Sequence, residues 1–207
     1  DGSPVSTDLY EPAAALESTD LEAVAAAARA VDGSGWLALS GSVRVPLDQL
    51  ADVLRDLRGR GWRLALDTHG EALAALLPLA DLVKVNVAEA SALLGASLEA
   101  TEDAAALAAT LSTLTVPSTP VSGSPGRRVA VVTDGVRGAS GVASDGTACS
   151  AAPARHGIYP VGSGDAFFAG LLTSLGDGAT LAEALVVATS AAERNAFTPG
   201  PGILTPL

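Results

Sequence analysis

The run Gly162-Ser163-Gly164-Asp165, followed by Ala166-Phe167-Phe168-Ala169-Gly170, is where residue type and spacing in this chain best suit chemistry. Glycines let the backbone bend until successive amides point at one spot. The first unsatisfied amides of the apolar helix that follows add a partial positive charge there. Such a turn suits an anion, including the charge that develops on a phosphoryl group in transfer. Asp165 falls in the first helical turn, where the helix dipole keeps a carboxylate ionised and placed to take a proton from an attacking hydroxyl. The same residues also read as an ordinary helix start, since acidic first turns are common.

Spacing removes several other chemistries. No Gly-x-x-x-x-Gly-Lys-Ser/Thr occurs, and Gly162-x-Gly164 is followed by Phe167 where a dinucleotide fingerprint needs glycine. No Gly-x-Ser-x-Gly elbow is supported by either His69 or His156, which lowers hydrolase chemistry. Cys149 is the single cysteine, so no internal disulfide forms, and with two histidines no zinc-type spacing exists. A reducing, cytoplasmic setting is expected.

The elements that must position these residues follow from the apolar pattern. Trp36-Leu37-Ala38-Leu39, Arg63-Leu64-Ala65-Leu66, Leu82-Val83-Lys84-Val85 and Val129-Ala130-Val131-Val132 read as buried strands. Helical patterns cover 20–31, 47–59, 70–77, 87–94, 101–113, 164–175 and 179–196, with starts near Asp20, Thr101 and Thr180. Residues 139–153 read as a hairpin turning at Asp145-Gly146. Alternation of strands and helices predicts an α/β fold with a mostly parallel, twisted sheet covered on both faces. Ligands of such sheets bind beyond the carboxyl ends of the strands. The loops there read Ser40-Gly41-Ser42, Asp67-Thr68-His69-Gly70, Asn86-Val87-Ala88-Glu89 and Thr133-Asp134-Gly135, small, polar and acidic.

Composition narrows the partners. Twelve Lys and Arg against 23 Asp and Glu give a formal charge of −11, which disfavours nucleic acid. A phosphorylated small ligand then needs backbone amides, a bound cation or a few placed cationic side chains. No charged-then-apolar leader opens the sequence, and its long uncharged stretch at 104–126 is broken by Pro, Ser, Thr and Gly, so neither export nor a membrane partner is expected.

Val161-Gly162-Ser163-Gly164-Asp165 with Ala169-Gly170 resembles the carboxyl-terminal signature of the ribokinase-like (phosphofructokinase B-type) carbohydrate kinases. Ser40-Gly41-Ser42, Leu66-Asp67-Thr68-His69-Gly70-Glu71 and Leu82-Val83-Lys84-Val85-Asn86-Val87-Ala88-Glu89 are similar, in that order, to the family's phosphofructokinase and tagatose-phosphate kinase branch. The resemblance implies a three-layer α/β/α, Rossmann-like sheet and ATP-dependent transfer to a sugar or sugar phosphate. It implies that Asp165 is the base and that the amides of Gly162, Ser163 and Gly164 form an anion hole. Asn86 and Glu89 match the family's Asn-x-x-Glu motif, associated with magnesium held through water and with positioning of the nucleotide's phosphates, which makes Asn86 a nucleotide-binding residue as well; a cap and a first-turn acid on the helix at 87–94 is the plainer reading of the same pair. Lys84, Thr133, Gly135, Asn195 and Gly200 fall where the family contacts the nucleotide, with Asp134 in place of the usual apolar residue. Lys84, the chain's one lysine, also reads as a strand-end cation reaching for water. Ser42 matches a serine near the sugar, although Val43-Arg44-Val45-Pro46 departs from the branch's Leu-Pro-Pro-Gly.

The likeness starts midway through the family's pattern. Residues 1–12 are expected to be the remnant of a β-lid strand and 13–207 a nucleotide-binding domain carrying a flexible loop at 113–128. The portion that would grip the sugar is expected to be absent, and homodimer pairing through the lid is a further implication of the resemblance. A nucleotide-binding module without turnover, or a nucleoside kinase of the same superfamily, stays open as an alternative.

Overall fold

The computed structural model describes residues 14–95, 103–114 and 128–204. Six strands form one sheet in sequential order: β1 (Gly35–Ser40), β2 (Trp62–Asp67), β3 (Leu82–Asn86), β4 (Val129–Thr133), β5 (Ala139–Ala143) and β6 (Ala148–Ala151). β1 to β4 run parallel, and β5 and β6 add an antiparallel hairpin whose turn contains Asp145 and Gly146. The α/β class and the hairpin are as the sequence predicts.

Connectivity dictates which helices cover which face. Right-handed crossovers between successive neighbours, all stepping in one direction, put every connecting helix on the same side. Accordingly α2 (Leu47–Gly59), α3 (Gly70–Leu76), α4 (Val87–Leu94) and α5 (Ala104–Leu114), with α1 (Ser18–Arg29), pack against Leu64, Leu66, Val83, Val85, Ala130 and Val132. The alternate residues Ala65, Leu82, Val129 and Val131 face the opposite way, as a period of two requires. Among the described residues, the chain returning after the hairpin covers that second face, through α6 (Ser163–Gly176) and α7 (Leu181–Ala196). The interior strands are almost wholly buried, whereas β1, at the edge, is half-exposed.

Local signals explain the boundaries. Thr180 caps α7 in a capping box with Glu183, and Asn86 caps α4 in one with Glu89. α1 starts earlier than the pattern at 20–31 suggests, because Glu17 is its cap and Asp20 is the third helical residue of its box. α5 runs through Thr113 and Leu114, so the loop expected from 113 gives up those two residues to the helix. The rest of that loop up to residue 127, the start near Thr101 and the lid remnant at 1–12 lie outside the described residues.

Gly170 shows why the Ala169-Gly170 pair suits α6: a Cβ there would lie 3.2 Å from Ala188 Cα and 3.2 Å from Ala191 Cβ of α7. Gly176, in the last turn, has only Trp36 Cδ1 at 3.8 Å. Gly170→Val is therefore expected to cost about 1–3 kcal/mol through overpacking, while Gly176→Ala stabilises by roughly 0.5–1 kcal/mol through helix propensity. Urea unfolding midpoints that move the two variants in the same direction would refute this.

Candidate active site

The parallel register brings the strand ends level. Ser40 pairs with Asp67 and Asn86 with Thr133 across their strands, so four of the polar loops emerge along one edge of the sheet. α6 returns over the second face with its amino terminus at this edge, and Ser40 Oγ donates to Asp165 Oδ1 at 3.4 Å. Asp165 is thus brought to the carboxyl end of β1, 125 residues before it in sequence.

Beneath the turn lies a buried ion pair. Lys84 Nζ donates to Asp67 Oδ1 at 3.0 Å and Oδ2 at 2.8 Å, with the two side chains only 8% and 13% exposed. Lys84 points to the α6 side because its neighbours Val83 and Val85 point the other way. A Cβ on Gly164 would sit 3.1 Å from that ammonium, so the first turn of α6 passes directly over it. Burial pushes the Asp67 carboxyl above its usual range against the pull of Lys84, and the charges of Glu89 and Asp165 push the same way. Lys84 is therefore no strand-end cation reaching for water.

The turn itself is over-determined. Gly162 caps α6 at φ +83°, a left-handed conformation, and a Cβ there would meet Pro201 Cβ at 2.7 Å. The Ser163 amide donates to Pro160 O at 3.0 Å and closes the turn, so it is occupied inside the protein. Asn195 is fully buried: its Nδ2 donates to Val161 O at 2.8 Å and Ser163 Oγ at 3.1 Å, and its Oδ1 accepts from the Gly202 amide at 2.8 Å. Its amide is spent on bracing the turn from behind, which leaves no face for a nucleotide. Gly200, at φ +98° in the exposed segment after α7, does not line the adjoining cavity.

That cavity, about 200 Å³, reaches Ser163 and Gly164 and is walled by Thr133, Gly135, Val136, Phe167 and the α7 residues Thr189, Ala192, Glu193 and Ala196. Thr133 Oγ1 donates to Val85 O at 3.3 Å, and Asp134 is taken up by an ion pair to Arg137 at 2.6 Å that leaves Gly135 on the rim. Thr189 Oγ1 is buried without a hydrogen-bond partner. Asn86 Oδ1 accepts from the Glu89 amide at 2.9 Å and Glu89 Oε2 from the Asn86 amide at 2.8 Å. This box leaves Glu89 Oε1 and Asn86 Nδ2 outside it. Ser42 lies apart, its Oγ 3.3 Å from His69 Nε2, in a separate recess with Arg44 and Glu71. Sequence reasoning missed Ser40 and Asp67. Both stood in quoted loops, but neither carries a signal of its contact with a residue so distant in the chain.

A glycine turn over a buried lysine, an acidic first turn and a neighbouring apolar cavity thus share one sheet edge. Residues 6–206 fit the family described as "pfkB family carbohydrate kinase". The chain belongs to this pfkB family. It is 37% identical over 189 residues to a 1-phosphofructokinase of Rhodobacter capsulatus, covering 89% of this chain and 56% of that protein. It is 30% identical over 194 residues to an ATP-dependent 6-phosphofructokinase isozyme 2 of Escherichia coli strain K12, covering 90% of this chain and 60% of that protein. The crystal structure of Escherichia coli phosphofructokinase-2 in complex with potassium superposes with a TM-score of 0.82 at 25% identity, over 95% of this chain and 62% of that one. The pfkB chain described here thus spans less than two thirds of the length of each of these relatives.

The ion pair in this pfkB chain makes a stability prediction. Lys84→Met leaves the Asp67 carboxylate buried and unpaired, a loss of about 3–5 kcal/mol, whereas the double variant Lys84→Met/Asp67→Leu removes both charges and recovers most of it. Additive losses in denaturant titrations would show that the two groups do not depend on each other.

Proposed function

We propose that this pfkB chain carries the nucleotide half and the catalytic base of an ATP-dependent kinase acting on a hydroxyl of a sugar or sugar phosphate. The observation that carries the reading is the convergence of Asp165, the Gly164 turn over Lys84 and the apolar cavity at one sheet edge. Phosphofructokinase names among the relatives at 30–37% identity support a phosphorylated hexose as the acceptor class.

The residues fit the group they would hold. The cavity's apolar walls and the unpartnered Thr189 hydroxyl suit a nucleoside. Gly162, at φ +83°, makes the tight turn into α6, and Gly164 lets that turn close over the Lys84 ammonium, so that the first-turn amides of α6 face the phosphates. Among the described residues no three His, Cys, Asp or Glu side chains form a ready cage for a metal. Magnesium, which keeps several waters and leans on phosphates, would be met by the free oxygen of Glu89 and by Asn86. Bound magnesium-ATP supplies the transferable phosphoryl group and the positive charge that neutralises it.

The protein's own part is positioning and charge. The Gly164 amide and the first-turn dipole of α6 face the developing negative charge, with the Lys84 ammonium behind them. The Ser163 amide contributes less than the sequence implies, since it already donates to Pro160 O. Asp165 takes the proton of the attacking hydroxyl, and Ser40 fixes the carboxylate through Oδ1. Asn195 keeps the turn from collapsing. Ser42 and His69 stand on the acceptor side. The lone cysteine fits a reducing, cytoplasmic setting.

Magnesium-ATP at a hundred times its Kd is expected to raise the melting temperature by roughly 5–10 °C. ADP release is then assayed with fructose phosphates and other sugar phosphates. Asp165→Asn should lower turnover about 10²–10⁴-fold while keeping the thermal shift. Turnover surviving in that variant would remove Asp165 as the base. A thermal shift with no turnover on any acceptor would favour a binding module.

A further inference from the structure

Glu193 has no part in the chemistry above, yet its carboxylate lines the cavity wall and is fully engaged. Its Oε2 accepts from the Ala154 amide at 2.9 Å and the Arg155 amide at 3.3 Å, while Oε1 accepts from Arg155 Nε at 2.9 Å. The side chain is only 11% exposed although its partner Arg155 is 62% exposed. The Arg155 guanidinium continues over the Phe197 ring, 4.8 Å from its centroid.

These contacts tie two walls of one cavity together. Pro153, Arg155 and His156 line it from the segment that follows β6; Thr189, Glu193 and Ala196 line it from α7. The far half of that segment is pinned by backbone: the Tyr159 amide donates to Ala196 O at 3.0 Å, and a Cβ on Gly157 would collide with Ala196 O. The near half, at Ala154 and Arg155, is held to α7 by the Glu193 carboxylate. Phosphates at Gly164 leave this part of the cavity to the nucleoside.

We infer that Glu193 is a positioning residue which clamps Ala154 and Arg155 against α7 and so sets the wall that receives the nucleoside, an inference that rests on the nucleotide-binding reading above. Arg155 in turn holds the Glu193 carboxyl below its ordinary value, so the clamp is charged at neutral pH. The carboxylate does not meet the phosphates. Its removal therefore weakens ATP and ADP by the same factor.

The test compares wild-type, Glu193→Ala, Glu193→Gln and Arg155→Ala chains for magnesium-ATP and magnesium-ADP affinity by calorimetry, with amide hydrogen exchange at Ala154 and Arg155. Alanine keeps α7 helical, and loss of hydrogen bonds to a charged acceptor should raise both Kd values about tenfold and speed exchange at the two amides. Glutamine still accepts from the backbone amides and should stay within about threefold of wild type; Arg155→Ala should raise Kd about threefold. Wild-type affinity in Glu193→Ala overturns the inference and leaves the kinase reading intact. Should that variant fail to fold, wild-type affinity in Arg155→Ala overturns it. Absence of nucleotide binding by the wild-type chain overturns both readings. Unequal losses for ATP and ADP also contradict the clamp, since they would place Glu193 at the phosphates.

Discussion

A lysine ammonium cannot stay buried beside a sheet without a carboxylate, and the pairing of Lys84 with Asp67 organises much of what surrounds it. The two residues stand on neighbouring strands, and the pair occupies the side of the sheet that α6 crosses. A Cβ at position 164 would crowd the ammonium, 3.1 Å away, so the helix passes most closely over it as Gly164. A helix amino terminus set over a neutralised pair presents free amides at little electrostatic cost. Asp165 lies one residue farther on, which brings it within reach of Ser40 at the end of β1.

The turn is held from the opposite side by α7. Asn195 spends its whole amide on Val161, Ser163 and Gly202, and Gly170 lets the two helices close on each other. A site built from a short glycine turn gains its rigidity from such neighbours, since glycine itself contributes none. The same helix lends Thr189, Ala192, Glu193 and Ala196 to the cavity, so one element both braces the Gly162–Gly164 turn and walls the cavity beside it.

Much of this was legible because it is periodic or local. The strand centres, the hairpin at Asp145-Gly146, the helix positions and the Gly162–Asp165 turn all announce themselves through apolar spacing or turn chemistry. The fold class followed, and the connectivity then fixed which helices share a face. What was not legible depends on three-dimensional pairing. Asn195 and Lys84 carry polar groups that a sequence places near a nucleotide, but burial turns both toward the protein. Ser40 and Asp67 were hidden because their partners lie far along the chain. Asp134 looked like a departure from pattern and is absorbed by Arg137. The capping box at Asn86 and Glu89 met the local expectation and leaves atoms over for a ligand.

The most direct measurement is a crystal structure of the chain with magnesium and a non-hydrolysable ATP analogue. The terminal phosphate is expected about 3 Å from the Gly164 amide, with Asp165 facing it and the nucleoside in the cavity between the segment after β6 and α7. Phosphates lying away from the amino terminus of α6, or a nucleoside bound outside that cavity, would contradict the assignment of this edge as the catalytic site.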